Sequence, residues 1–254
     1  MIPRLPRERT YDLLAVGELL ADFISDEPVA SIREAESFTR YTGGSPANLA
    51  RNLAVLDKTS ALVAAVGDDG LGEFLVDELT EAGVETDPVA THPTRPTSSV
   101  LIARSAETPD FIHYRQADTA IDRRQLPTRL ARDTRIFHTT CVALSTNPAR
   151  AAILDAADDA AGAASHLSLD ANYVRSHWPN AATARRTIQR YCAGTTLVKA
   201  SMDDVERIFE TDEMTPDEAV EELHDWGAWL VCLTMGGDGS LVSWQEGAES
   251  ARVE

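Results

Sequence analysis

Three clusters in this chain have residue types and spacing suited to holding a hydroxylated or phosphorylated ligand. The first is Tyr41-Thr-Gly43-Gly44-Ser45-Pro46-Ala47-Asn48, which leads into the helical run Leu49 to Leu56. Gly43 and Gly44 can adopt φ > 0 and carry no Cβ, so a hydroxylated ring can rest against bare amides, with the Asn48 carboxamide offering donor and acceptor together. Helix-start amides add a weak positive pole. Standing alone, such a pair also marks an ordinary loop before a helix. The second cluster is carboxylate. Asp22 lies just past the short apolar run Tyr11 to Gly17, and Asp170-Ala-Asn172 follows the run His166 to Leu169 directly. At the carboxyl end of a central strand a carboxylate faces the crevice where open α/β sheets bind ligands, and it can accept two hydrogen bonds from neighbouring hydroxyls. For Asp22 the alternative is a solvated turn residue. The third is Thr234-Met-Gly236-Gly237-Asp238-Gly239, where an apolar strand runs into a glycine-rich turn. Such a turn brings backbone amides to phosphates; alone it reads equally as a hairpin turn.

The elements that would position these residues follow from periodicity. Ala61 to Val66 is a buried strand ending in Gly67-Asp68-Asp69-Gly70-Leu-Gly72. Between Thr91 and Ala120 the pattern becomes alternating short strands, Ser98 to Ala103 and Asp110 to Arg115, a hairpin-like ribbon. From Arg135 onward the chain alternates strand and helix: strand 136–140, helix 148–164, strand 166–169, helix 181–192 and strand 196–198. That alternation predicts an α/β fold with a parallel, doubly wound sheet.

Composition bounds the partners. With 254 residues, 43% of them hydrophobic, the chain can bury a sizeable core, as one large domain with a small appendage. Forty-one acidic residues against 23 basic ones give a net charge of −18 and a pI near 4.7. Such a field repels nucleic acid and anionic membrane, so neither is expected as a partner. Lysine occurs only at Lys58 and Lys199, and Ala and Asp are abundant. This reads as a halophile-like surface; a high-GC genome accounts for the Arg and Ala but less well for the carboxylates. Cys141, Cys192 and Cys232 lie in apolar runs without metal-ligand spacing, as thiols do in a reducing cytosol. Arg4, Arg7, Glu8 and Arg9 interrupt any signal-peptide core, and no apolar run reaches membrane-spanning length. A soluble, cytoplasmic protein is expected.

Taken together, the Gly43-Gly44 to Asn48 segment, the following helix and strand, and Val66-Gly67-Asp68-Asp69-Gly70 resemble the first signature of the ribokinase (PfkB-type) carbohydrate kinases, nearest the fructokinase and 2-keto-3-deoxygluconate kinase branch. Asp57 stands where that family has glycine after the helix; Asp tolerates the left-handed region better than most residues. The resemblance covers essentially the whole chain. It implies a ribokinase-like, mostly parallel sheet with a small β lid, a single kinase domain over 1–254, lid segments near 20–42 and 95–120, and often a dimer contact through the lid.

For the site, the resemblance implies sugar contacts from Asp22, Gly43, Gly44, Asn48, the lid residues Tyr114 and Arg115, and Asp170 and Asn172. Val174 occupies the family's arginine position, and Arg175 is the displaced candidate. His113 and His177 are read as an alternating strand position and a solvated residue. The nucleotide side, for ATP, would comprise Lys199, Ser201, Thr234, Gly236 and Gly239, with Asp204 helping to place Mg2+ through ordered water. Ser201 to Asp204 also satisfies a helix start with Ser201 as N-cap. The family's second signature, with the anion hole and the general-base aspartate, is expected beyond Glu254, so no catalytic base is assigned within 1–254. Phosphorylation of a fructose-like ketose or a 2-keto-3-deoxy sugar acid is the implied activity, the ketose slightly preferred because Val174 removes one cation. A non-catalytic sugar- or nucleotide-binding module is the alternative.

Overall fold

The structure, a computed structural model, describes residues 5, 6, 8–105, 110–192 and 196–245, and the backbone of 251–253. The chain order of strands and helices is β1 (Tyr11–Val16), β2 (Leu20–Pro28), β3 (Phe38–Gly43), α1 (Ser45–Val55), β4 (Ser60–Val63), β5 (Ala65–Gly67) and α2 (Gly70–Glu81). Then come β6 (Ala90–His92), β7 (Ser99–Arg104), β8 (Phe111–Tyr114), α3 (Thr128–Arg132), β9 (Thr134–Thr140), α4 (Ala149–Gly162) and β10 (His166–Asp170). The remainder is α5 (Ala181–Tyr191), β11 (Thr196–Ser201), α6 (Met202–Phe209), α7 (Pro216–Asp225), β12 (Ala228–Thr234), β13 (Ser240–Trp244) and β14 (Ala251–Val253).

Eight strands form the main sheet in the order β14-β13-β12-β11-β10-β9-β1-β4. The six from β12 to β4 are parallel, and β13 and β14 add an antiparallel edge. Alternation along the strands sends side chains to two cores. Leu13, Ala15 and Leu62 pack with Ala47 and Ala50 of α1 and Leu75 and Leu79 of α2. Leu14, Val16, Leu169, Val198 and Val231 pack on the other face with α4 to α7. Helices on both faces of a parallel sheet make the expected doubly wound fold.

A second sheet, β3-β2-β7-β8, gathers the strands of the 20–42 and 95–120 segments. Its β7–β8 pair is antiparallel, as the ribbon pattern predicts. One reading needs correcting: Ala61 to Val66 is two strands. β4 pairs with β1 while β5 pairs with β6, and the break at Ala64 turns its carbonyl to Ala90 N and Gln125 Nε2. Helix α1 also begins at Ser45, four residues before the predicted run, with Pro46 in its first turn where no amide partner is lost. Asp57 takes the left-handed conformation at φ +58°, as the glycine-like turn requires. Cys141, Cys192 and Cys232 are free thiols. No helix among the described residues is long and apolar enough to cross a membrane.

Candidate functional site

Between the carboxyl ends of β1, β9 and β10, the start of α1 and the inner face of the small sheet lies a cleft of about 580 Å³. Sequence expectations converge there: Asp22, Gly44, Asn48, Arg115, Asn172 and Asp204 all line it. The two glycines are required by close approach. A Cβ on Gly43 would land on the Asp22 carboxylate, and one on Gly44, whose φ is +103°, would strike the backbone carbonyl of Glu18. Gly43 therefore seats Asp22 and does not itself border the cleft, while Gly44 packs on the Glu18 backbone and borders the cleft. The Asn48 amide closes the first turn of α1 on Gly44 O, which leaves its exposed carboxamide turned to the cleft with no protein partner.

Charge in the cleft is arranged by burial. Asp22 is pushed up to about 6 by loss of water. Glu18, with 3% exposure, is pushed up to about 7 by burial, which outweighs the Thr140 hydroxyl donating to Oε2 at 2.7 Å. Arg115 donates from Nε to Asp118 at 2.7 Å and from Nη1 to Val142 O at 2.9 Å and Ser145 Oγ at 2.7 Å. Its partner Asp118 is buried and also takes the Ser98 hydroxyl. Asp170 borders the main sheet beside the cleft: Ser45 Oγ donates to Oδ2 at 2.8 Å and Lys199 Nζ to Oδ1 at 3.2 Å. Lys199 is thereby engaged by Asp170.

Four expected sugar contacts do not line the cleft: Gly43 and Asp170 lie beside it, and Tyr114 and Arg175 are turned away. Tyr114 is off the cleft because the alternation of β8 turns Phe111 and His113 toward it and Ile112 and Tyr114 away. Arg175 sits in a one-turn helix facing solvent and pairs with Glu210 at 3.4 Å. His113, read from sequence as a plain strand position, lines the cleft and meets His177 edge to face at 4.9 Å. Burial, with the Arg115 charge, lowers the pKa of His113, and burial lowers that of His177 to about 4. Sequence reasoning also missed Glu18 and Asn52. The signals were available: Glu18, Leu20 and Asp22 recur at every second residue, and Asn52 is one helical turn beyond Asn48.

A second cleft, about 560 Å³, lies past the ends of β11 and β12 and is lined by Ser201, Thr234 and Gly236. The 234–239 segment is a hairpin turn between β12 and β13, with Gly236 at φ +57° and Gly239 at φ +92°. A Cβ on Gly236 or Gly237 would meet nothing within 4 Å, so bare backbone faces open space where a phosphate can approach. Ser201 caps α6 in a capping box with Asp204. Asp204 Oδ2 accepts from Ser201 N at 3.0 Å and Ser201 Oγ at 2.7 Å, and Oδ1 from Tyr173 N at 2.8 Å. Three donors leave this carboxylate about one lone pair, which fits contact with a divalent cation through water better than direct ligation. Among the described residues no group of three or more His, Cys, Asp or Glu side chains could hold a metal.

Comparison with known proteins gives this geometry a family. Residues 11–253 match the model of the pfkB family of carbohydrate kinases. Over 245 residues the chain is 36% identical to an ATP-dependent 6-phosphofructokinase of Thermoanaerobacterium thermosaccharolyticum, covering 96% of this chain and 74% of that protein. It is 29% identical to a probable chloroplastic fructokinase of Arabidopsis thaliana, of which it covers 60%. It thus spans roughly three fifths to three quarters of those relatives' lengths. The Halothermothrix orenii fructokinase structure superposes with a TM-score of 0.85 at 32% identity, covering 95% of this chain and 85% of that one. A ribokinase-like fold is likewise shared with a Pyrococcus horikoshii sugar kinase solved with ATP, at TM-score 0.80 and 23% identity. With its doubly wound sheet and these relatives, the chain belongs to the pfkB family of carbohydrate kinases, which are sugar phosphotransferases.

Proposed function

We propose that this chain binds a neutral ketose of the fructose type in the first cleft and ATP along the Thr234 to Gly239 turn, for phosphorylation of a sugar hydroxyl. The observation that carries the substrate class is the state of Arg115. Its charge is already matched by buried Asp118, and its Nε and Nη1 donors are spent on Asp118, Val142 and Ser145, so it offers little net positive charge to an anionic sugar. The other cleft charges are the carboxyl groups of Glu18, Asp22 and Asp204, and Arg207, which pairs with Asp203 at 3.3 Å. A polyhydroxylated neutral ring matches carboxyl acceptors and the Asn48 amide, whereas a sugar acid would meet repulsion. Asp22, Gly44, Asn48 and Asn172 hold the ring, and Asp170 sets the α1 start through Ser45. Tyr114 and Arg175 are left out of this assignment.

On the nucleotide side, Thr234 and the amides of Gly236 and Gly237 take phosphate oxygens, while the Asp238 and Gly239 amides close the turn on Met235 O and Gly236 O; Ser201 lines the same cleft and Lys199 stands two residues before it on β11. Mg2+, placed by Asp204 through water, would neutralise phosphate charge there. The small sheet covers the sugar and excludes water, and its outward Ile112 and Tyr114 supply apolar surface for pairing with a second copy. Titration calorimetry with fructose, fructose 6-phosphate and 2-keto-3-deoxygluconate tests the substrate assignment. Fructose should bind tightest. A sugar acid or phosphorylated ketose binding at least tenfold more tightly than fructose would overturn it.

A further inference from the structure

Glu18 is the buried charged group in the cleft for which neither the strand pattern nor the sugar assignment above provides a task. It follows β1, lies on the cleft wall two residues before Leu20 and four before Asp22, and keeps only 3% of its surface exposed. Its donors are the Thr140 hydroxyl, 2.7 Å from Oε2, and its own backbone amide. A carboxylate has about four acceptor positions, and burying one with half of them unfilled is costly. The positioning is specific. Thr140 Oγ1, which holds Glu18, itself accepts from Ala143 N at 3.0 Å. Arg115 fixes the same turn through Val142 O and Ser145 Oγ. Close packing of Gly44 on the Glu18 carbonyl locks the backbone as well.

We propose that Glu18 is a sugar-contacting residue, its unfilled carboxyl positions accepting from a ketose hydroxyl. This rests on the ketose reading of the cleft. The raised carboxyl pKa, about 7, accords with an acceptor kept under-partnered until ligand arrives. A purely structural Glu18 would serve only Thr140.

The test pairs variants with ligands. Fructose and its monodeoxy analogues are titrated calorimetrically into the 254-residue protein, its Glu18→Ala variant and its Glu18→Gln variant, with thermal unfolding alongside. Glu18→Ala should bind fructose at least tenfold more weakly. One analogue should lose about tenfold against wild type and nothing further against Glu18→Ala, because the hydroxyl and its acceptor are then both gone. Glu18→Gln keeps size and one acceptor, should fall between, and carries the test if the alanine variant does not fold. Equal fructose affinity in wild type and a folded variant, or equal analogue losses in both, overturns the role of Glu18 alone. Fructose failing to bind the folded wild type overturns the ketose reading itself.

Discussion

Arg115 and Asp118 are locked together at the cleft wall: Nε and Nη2 of the arginine reach the same carboxylate oxygen at 2.7 and 2.5 Å, and the aspartate side chain is wholly buried. Removing the arginine strands a buried carboxylate. Arg115→Ala should therefore cost about 3–5 kcal/mol of stability. Arg115→Lys keeps the charge but not the forked geometry reaching Val142 and Ser145, and should recover only part of that loss. Urea unfolding of both variants measures this, and a loss below about 1 kcal/mol for Arg115→Ala would show that the pair is effectively solvated.

Asn48 presents a carboxamide to the cleft with no partner in the protein. Asn48→Ala should lower fructose affinity by about 1–3 kcal/mol and leave ATP affinity and unfolding unchanged. Asn48→Asp should be worse, because it adds a carboxylate to a cleft already holding Asp22 and Glu18. A fall in melting temperature with fructose affinity intact would make Asn48 a structural residue.

The legible part of this molecule was the part encoded locally. Gly43, Gly44 and Asn48 are three unusual choices within six residues, and strand and helix periods after Arg135 recur cleanly enough to give the doubly wound sheet. Glu18 was legible only as an alternating position with Leu20 and Asp22, and its burial was not legible at all. Its partner Thr140 is 122 residues away, and its enclosure depends on Gly44 packing against its carbonyl. The facing of β8 was misread for a related reason. Tyr114 and His113 are both plausible inward residues, and only pairing with β7, which sets Ser99 opposite Tyr114 and Val100 opposite His113, decides between them. Break points fail similarly: Ala61 to Val66 is uniformly apolar, so the change of sheet at Ala64 leaves no mark in residue type.

Glu18 also makes a stability prediction. Its carboxyl rises from 4.5 in the unfolded chain to about 7 when folded, so between these values the folded state holds the proton more tightly. Stability from this group therefore falls as pH rises from about 4.5 and levels off above 7, a penalty of about 3 kcal/mol. Glu18→Gln removes the ionisation. The variant should gain on wild type through that window and keep a constant advantage above it, read by urea unfolding at pH 4.5, 6 and 8. A variant equally less stable at all three values contradicts the burial argument.

Ser201 and Asp204 form a reciprocal cap at the start of α6. Ser201→Ala should cost about 1 kcal/mol. Asp204→Ala should cost more, since it frees the amides of both Ser201 and Tyr173. If Asp204 also helps to place Mg2+, then Asp204→Asn should weaken MgATP binding more than binding of metal-free ATP. Equal weakening of the two limits Asp204 to the cap.

The net charge of −18 makes the folded state self-repelling at low ionic strength. Screening beyond about 10 Å is largely complete at 0.1 M salt, so melting temperature should climb steeply below that concentration. For a halophile-like surface the climb continues into molar KCl. A plateau by about 0.2 M leaves an acidic but ordinary surface.

A ketose held against Asp22 in the cleft between the main sheet and the small sheet should depend on that carboxylate for its affinity. Calorimetric titration of fructose into the folded wild-type protein and its Asp22→Ala variant tests it most directly. Binding to wild type should be saturable and one-to-one, and at least tenfold weaker in Asp22→Ala, with ATP affinity the same in both. Fructose binding that is absent from wild type, or undiminished in a folded Asp22→Ala variant, would contradict it.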